Sequence, residues 1–188
     1  VFSGVGKTYS ELEYAIDKNI LLINVESISE FNTIEKIAKI KKKRIDIGVR
    51  LNPNTDAKTL KQISTGKEGD KFGVGKEEFF QIIKYSKISR FINLKCVSVH
   101  IGSQIVNPKP YSKMLNVVDK LIKKSKHKFE FIDLGGGMGI PYEKNSKNFN
   151  FKAYNLLISK FLKKNKCKII FEPGRSLVAN AGILVSKI

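Results

Sequence analysis

Short runs dominated by Val, Ile and Leu recur along the chain, and between them lie longer stretches in which apolar residues return every three or four positions. The runs Val1 to Ser3, Leu21 to Val25, Ile45 to Leu51, Lys95 to His100, Phe131 to Leu134, Lys168 to Phe171 and Ile183 to Ile188 read as strands. Several are too continuously apolar to leave one face wet, which assigns them to a buried parallel sheet. The intervening stretches read as amphipathic helices. Thr8-x-x-Glu11 opens one carrying Leu12, Ala15 and Ile16, and Ser27-x-x-Glu30 opens another carrying Phe31, Ile34, Ile37 and Ala38, both with the spacing of a capping box. Later helices present Phe79, Phe80, Ile82 and Ile83, then Val117, Val118, Leu121 and Ile122, then Leu157, Ile158, Phe161 and Leu162, each stripe facing a lysine-rich side. These stripes are packing surfaces in a βαβα chain.

Parallel strands with helical crossovers leave two architectures, the doubly wound sheet and the (β/α)8 barrel. Polar residues gather at the strand exits: Glu26 after Ile23-Asn24-Val25, Arg50 and Asn52 after Ile47-Gly48-Val49, His100 after Val97-Ser98-Val99, Gly135 to Gly137 after Ile132-Asp133-Leu134, and Glu172 after Ile169-Ile170-Phe171. Chemistry spread over many consecutive strand ends suits the mouth of a barrel, whereas a doubly wound sheet concentrates it at one switch point. The expectation is therefore an α/β fold of the (β/α)8 TIM-barrel type. A whole barrel needs about 250 residues, so this chain of 188 is expected to be incomplete by one or two βα units. It also opens at Val1, inside a predicted strand, so its true N-terminus is expected to lie upstream.

With 41% hydrophobic residues the chain can bury one core, so a single domain is expected. No window approaches the roughly 18 apolar residues of a membrane span, and the start lacks the regions of a signal peptide. The reading is a soluble, cytoplasmic protein without a membrane partner. Cys96 and Cys167 lie far apart and in no metal-ligand spacing, so neither a disulfide nor a metal is assigned. The net charge of +18 raises nucleic acid as a partner. Against it, arginine occurs only at Arg44, Arg50, Arg90 and Arg175, while the lysines fall on helix faces in a chain also rich in Asn and Ile, as an AT-biased genome favours. No nucleic-acid partner is expected, and a basic nucleic-acid-binding protein stands as the alternative from another class.

Gly4-Val5-Gly6-Lys7-Thr8 imitates the end of a phosphate-binding P-loop, but Val1 stands where the first glycine is required. Asp133-Leu134-Gly135-Gly136-Gly137-Met138-Gly139 fails the dinucleotide fingerprint, although three successive glycines after a strand let backbone amides face an anion. His100-Ile101-Gly102-Ser103-Gln104 sets an imidazole beside a hydroxyl at another strand exit. Finally, Phe171-Glu172-Pro173-Gly174-Arg175 places a carboxylate, a rigid turn and a guanidinium beyond a short strand, either as a structural ion pair or as a site for a charged ligand. Phosphate donors, a ring that can stack and a carboxylate together fit pyridoxal 5′-phosphate.

Taken in order, these blocks resemble the alanine-racemase-like barrel family of pyridoxal-phosphate decarboxylases. The resemblance runs through Phe2-Ser3-Gly4-Val5-Gly6-Lys7-Thr8, Asn24-Val25-Glu26-Ser27, Arg50-Leu51-Asn52-Pro53, Ser64-Thr65-Gly66 with Lys71-Phe72-Gly73, His100 to Gln104, Leu134 to Gly137 and Glu172 to Arg175, covering nearly the whole chain. It implies that Ser103, the amides of Gly135, Gly136 and above all Gly137, and the Pro173-Gly174-Arg175 turn hold the cofactor phosphate. By the same resemblance His100 stacks on the pyridine ring, Glu172 pairs with the ring nitrogen, Arg175 also reaches the distal carboxylate of the substrate, and Arg50 stands one layer behind. The implied reaction is decarboxylation of meso-diaminopimelate at its D-configured carbon to L-lysine and carbon dioxide. Gln104 favours that small amino-acid substrate over the ornithine, arginine or carboxynorspermidine of sibling enzymes. The family's cofactor-linking lysine, in a Tyr-x-x-Lys-Ala-Asn context, does not occur here, nor does its C-terminal β-domain, through which a homodimer partner supplies a catalytic cysteine. Residues 1–188 are thus expected to be part of the barrel domain of a longer enzyme, with its catalytic residues outside the chain, and to be inactive alone.

Overall fold

The computed structural model describes residues 1–57, 65–66, 72–143, 148–183 and 185–187. Within them the order is α1 (Tyr9–Asp17), β1 (Ile23–Val25), α2 (Ile28–Ile40), β2 (Ile45–Arg50), α3 (Lys76–Ile88), β3 (Ile92–Ser98), α4 (Lys109–Ser125), β4 (Phe131–Asp133), α5 (Phe151–Asn165), β5 (Lys168–Ile170) and the short α6 (Arg175–Val178), which runs into a 3-10 turn at Ala179–Ala181. All strand pairs are parallel, and each strand pairs with the next in sequence, β1-β2-β3-β4-β5. A doubly wound sheet reverses its order at a switch point. Unbroken sequential order is the arrangement of a barrel wall.

Local sequence accounts for the helix starts. Thr8 caps α1 by accepting from the Glu11 amide, while the Glu11 carboxylate returns to the Thr8 amide at 2.7 Å. The second expected capping box forms by half. Ser27 accepts from the Glu30 amide, but the Glu30 carboxylate goes to the amide of Glu26 and to the ammonium of Lys7, both within hydrogen-bonding distance. The buried cation draws that carboxylate away from the position a box requires. The predicted apolar stripes lie inward: Phe79, Ile82 and Ile83 on α3, Val118 and Leu121 on α4, and Ile158 and Phe161 on α5 are buried, with Phe80, Val117, Ile122, Leu157 and Leu162 packed at the margin.

Two predicted strands require correction. Val1 to Ser3 contributes a single bridge, Phe2 to Ile23, outside β1. Over 183–188, Ile183 and residues 185–187 form no strand, and Ile183 and Val185 are exposed; Leu184 and Ile188 lie outside the described residues. A strand needs a paired neighbour, and among the described residues none lies beside this segment.

Strand alternation separates two faces. Ile23, Val25, Ile47, Val49, Val97, Val99, Ile132 and Leu134 belong to the core shared with the helices. Asn24, Gly48, Ser98 and Asp133 occupy the other phase, in a register that sets Asn24 beside Gly48 and Ser98 beside Asp133. The inner face is therefore buried yet polar. No helix among the described residues is long and apolar enough to cross a membrane.

Candidate functional site

The inner face ends in a cluster of charged and polar groups at the strand exits. At the end of β1, Glu26 is 8% exposed and pairs with Arg50 from the end of β2 at 2.9 Å. The same Glu26 oxygen accepts from the Gly4 amide, and the Arg50 guanidinium lies over the Phe72 ring. Lys7, in the P-loop-like stretch, points inward to Glu30 and to the carbonyls of Gly4 and Asn24. Its ammonium holds the protein together and is not presented to a phosphate.

Beyond β3 and β4, two loops are bound to each other. Ile105 donates to the Gly137 carbonyl at 2.9 Å, and Gly139 donates to the Ile105 carbonyl at 3.0 Å. The Gln104 side chain spans the same gap, donating to the Ile140 carbonyl and accepting from the Ile140 amide and from Arg175. This pairing brings Ser103 and Gly137 to one rim. Gly135 and Gly136 are buried with their amides already engaged, by Asp133 Oδ1 at 2.9 Å and by His100 Nδ1 at 3.3 Å. Gly137, half-buried with φ of 91°, has no acceptor for its amide among the described residues. Of the three predicted amides it is the one free to receive an anion. A Cβ at Gly137 would strike the Gly102 carbonyl, which is why glycine stands there.

The imidazole of His100 is held neutral. Burial first, and then the nearby Arg50 charge, lower its pKa to about 4, against the raising influence of Glu172 and Glu26. Accepting at Nδ1 leaves the proton on Nε2. Thr65 fixes the backbone of the same residue through its hydroxyl, 2.8 Å from the His100 carbonyl. Ser64 and Lys71, in the same resemblance blocks, lie outside the described residues.

Glu172 follows β5, where its amide donates to the Gly135 carbonyl at 2.8 Å. Its carboxylate accepts from the Ser3 hydroxyl at 2.6 Å. Arg175, three residues on, turns instead to Gln104 and lies over the Tyr142 ring. Glu172 and Arg175 form no ion pair with each other, so the structural reading of that run does not hold. Both remain available to a ligand, with Gly174 between them free of close neighbours.

One step below the conspicuous residues of the strand exits lie further polar side chains that the strand-end pattern does not pick out. Asn24, Ser98 and Asp133 form a buried layer in which Asp133 Oδ2 accepts from Asn24 and Ser98, and Asn24 donates also to Ser3. Burial, and then the charge of Glu172, raise the Asp133 pKa to about 6. Each of the three lies two residues before Glu26, His100 or Gly135, so the period of two was the signal available. Nor does that pattern pick out Tyr111. Its buried hydroxyl donates to the Gly136 carbonyl at 2.8 Å.

A free amide, a hydroxyl and a guanidinium at one rim, beside a neutral imidazole and an unpaired carboxylate, suit a flat, phosphorylated ring with a basic nitrogen. Comparison with known proteins agrees. The family described as pyridoxal-dependent decarboxylase, pyridoxal binding domain, matches residues 1–179. The diaminopimelate decarboxylase of Zymomonas mobilis is 38% identical over the whole chain, which covers 46% of that protein. That of Helicobacter pylori is 41% identical, with 47% of its length covered. The crystal structure of the Helicobacter pylori enzyme complexed with L-lysine matches with a TM-score of 0.90 at 40% identity, over 95% of this chain and 46% of that one. The Paramecium bursaria Chlorella virus arginine decarboxylase bound to agmatine shares the fold, with a TM-score of 0.70 at 22% identity, over 90% of this chain and 44% of that one. The chain spans about half the length of the curated relatives it matches.

Proposed function

Because the chain belongs to the pyridoxal-dependent decarboxylases, through their pyridoxal-binding domain, we propose that the whole protein converts meso-diaminopimelate to L-lysine and carbon dioxide with pyridoxal 5′-phosphate. One observation carries the reading: the polar inner face ends in the unengaged Gly137 amide near Ser103 and Arg175, and in a Glu172 carboxylate with no cationic partner among the described residues. The residues fit the cofactor. Where Gly136 packs against the Glu172 carbonyl, any side chain would close the approach between the glycine turn and the strand exit.

When bound, the cofactor supplies an electron sink for the bond to the departing carboxylate. Glu172 keeps a proton on the ring nitrogen by offering it a carboxylate. His100, being neutral, covers the ring without adding a charge beside it. Gly137, Ser103, Gly174 and Arg175 receive the phosphate, and the Arg175 fork also suits a distal carboxylate on the substrate. Gly135 and Gly136 shape the turn through their internal hydrogen bonds. Pro173 fixes the direction in which the chain leaves β5. Arg50, held by Glu26, limits the charge of the neighbouring His100.

Residues 1–188 form part of one barrel domain in this reading, and the enzyme works in the cytoplasm as a homodimer. The lysine that links the cofactor and the partner's cysteine lie in the remainder of the protein. Support for the substrate comes from the relatives, whose names specify diaminopimelate, and from the L-lysine complex of one of them. The full-length protein should show the visible absorption of bound pyridoxal and release carbon dioxide from meso-diaminopimelate but not from ornithine or arginine. Turnover of ornithine alone would preserve the cofactor site and overturn the substrate. A full-length protein that takes up no pyridoxal phosphate would overturn both.

A further inference from the structure

Glu172 is exposed, yet its carboxylate is tied to the deepest polar layer of the sheet. Asn24 is fully buried on β1, and its two amide protons go to Asp133 Oδ2 at 2.8 Å and to Ser3 Oγ at 2.9 Å. Ser3 thereby has its oxygen occupied, and its own proton goes to Glu172 Oε1 at 2.6 Å. Asp133 sets the direction of the whole series, since it accepts from Ser98, from the Gly135 amide and from Asn24 and so requires the amide end of Asn24 to face it. The other end of Asn24 bears this out: Oδ1 is buried and has no hydrogen-bond partner, and Gly48 supplies the space it occupies. Leaving a buried carbonyl unsatisfied is costly. Packing alone gives no reason for it, whereas two donations from the amide end do.

We propose that Asp133, Asn24 and Ser3 form a hydrogen-bonded relay that positions the Glu172 carboxylate. The proposal rests on the reading of Glu172 as the partner of the cofactor's ring nitrogen. The relay crosses the inner face from β4 through β1 to the exit of β5, so the orientation of Glu172 depends on residues far away in sequence. The titratable groups that face Glu172 are Asp133 from β4 and His100 and Cys96 from β3 and its exit, with the Glu26–Arg50 pair acting on His100 from β1 and β2. Arg175, on the same turn as Glu172, is directed to Gln104.

The test uses the full-length protein with Ser3→Ala, Ser3→Thr and Glu172→Gln. The dissociation constant for pyridoxal 5′-phosphate is measured by absorbance titration, alongside kcat and KM. In Ser3→Ala the dissociation constant should rise about tenfold, and kcat should fall roughly tenfold with KM nearly unchanged. Ser3→Thr, which keeps the hydroxyl, should restore both. A Ser3→Ala protein with the parent cofactor affinity and kcat overturns the relay, as does a Ser3→Thr protein no better than Ser3→Ala. Glu172→Gln separates the relay from the role of Glu172. If it lowers affinity and kcat while Ser3→Ala leaves both at the parent values, the role of Glu172 stands and the relay falls. If Glu172→Gln itself leaves affinity and kcat unchanged, the underlying reading of Glu172 fails.

Discussion

Gly136 has no room for a side chain, because a Cβ there would run into the Glu172 carbonyl. Gly136→Ala should therefore push β4's exit away from Glu172 and weaken pyridoxal 5′-phosphate binding by the full-length protein by about tenfold or more, as absorbance titration would measure. Tyr111→Phe removes the donor to the buried Gly136 carbonyl. It should destabilise the protein by about 1–3 kcal/mol in urea unfolding, the penalty of an unsatisfied buried acceptor. The prominent residues were legible without a structure, since His100, Gly137, Glu172 and Arg175 are conspicuous types at strand exits. Asn24, Ser98 and Asp133 were not, because a single polar residue inside an apolar run has the same local appearance whether it faces solvent, a ligand or another strand. Their partners are 21 to 109 positions away for Asn24 and 35 for Ser98, and no local pattern encodes such pairings.

Helices and strands followed their apolar periodicity closely, and the departures come from contacts between elements. Glu30 leaves its place in a capping box because Lys7 is buried beside it, the two at 2.8 Å with side-chain exposures of 11% and 2%. That pair ties the segment before α1 to the start of α2. Lys7→Met would leave Glu30 as a buried, uncompensated charge and should cost about 3–5 kcal/mol in unfolding measurements. The double variant Lys7→Met/Glu30→Leu should recover most of that loss, because it removes both charges together. Segments at the margins departed furthest. Val1 to Ser3 has only one bridging residue, and Ile183 to Ile188 shows no strand among its described residues, since apolar character becomes a strand only where a neighbour accepts the backbone hydrogen bonds.

The sheet gathers groups from β1 to β5 into one polar face, and two of its perturbed ionisable groups respond oppositely to acid. His100, lowered to about 4, binds its proton more readily when unfolded, so it makes the fold less stable as pH falls from the ordinary histidine value toward 4. Asp133, raised to about 6, binds its proton more readily when folded, so its contribution is fully present below the ordinary aspartate value and is lost as pH rises through 6. Each offsets the other between about pH 4 and 6. Asp133→Asn removes one side of that balance, and its thermal midpoint should drop more than the parent's between pH 7 and pH 5. An equal drop in both proteins would show that Asp133 does not titrate in this window. Periodicity and residue type already specified parallel α/β architecture, the helix faces and the strand exits that carry chemistry, because those properties depend on neighbours within a few positions. Strand order, the split between an apolar and a polar face, the one free amide of the glycine turn and the link from Asp133 to Glu172 were settled only by the tertiary structure. Each depends on which distant backbones lie side by side, and that is decided by packing across the whole sheet.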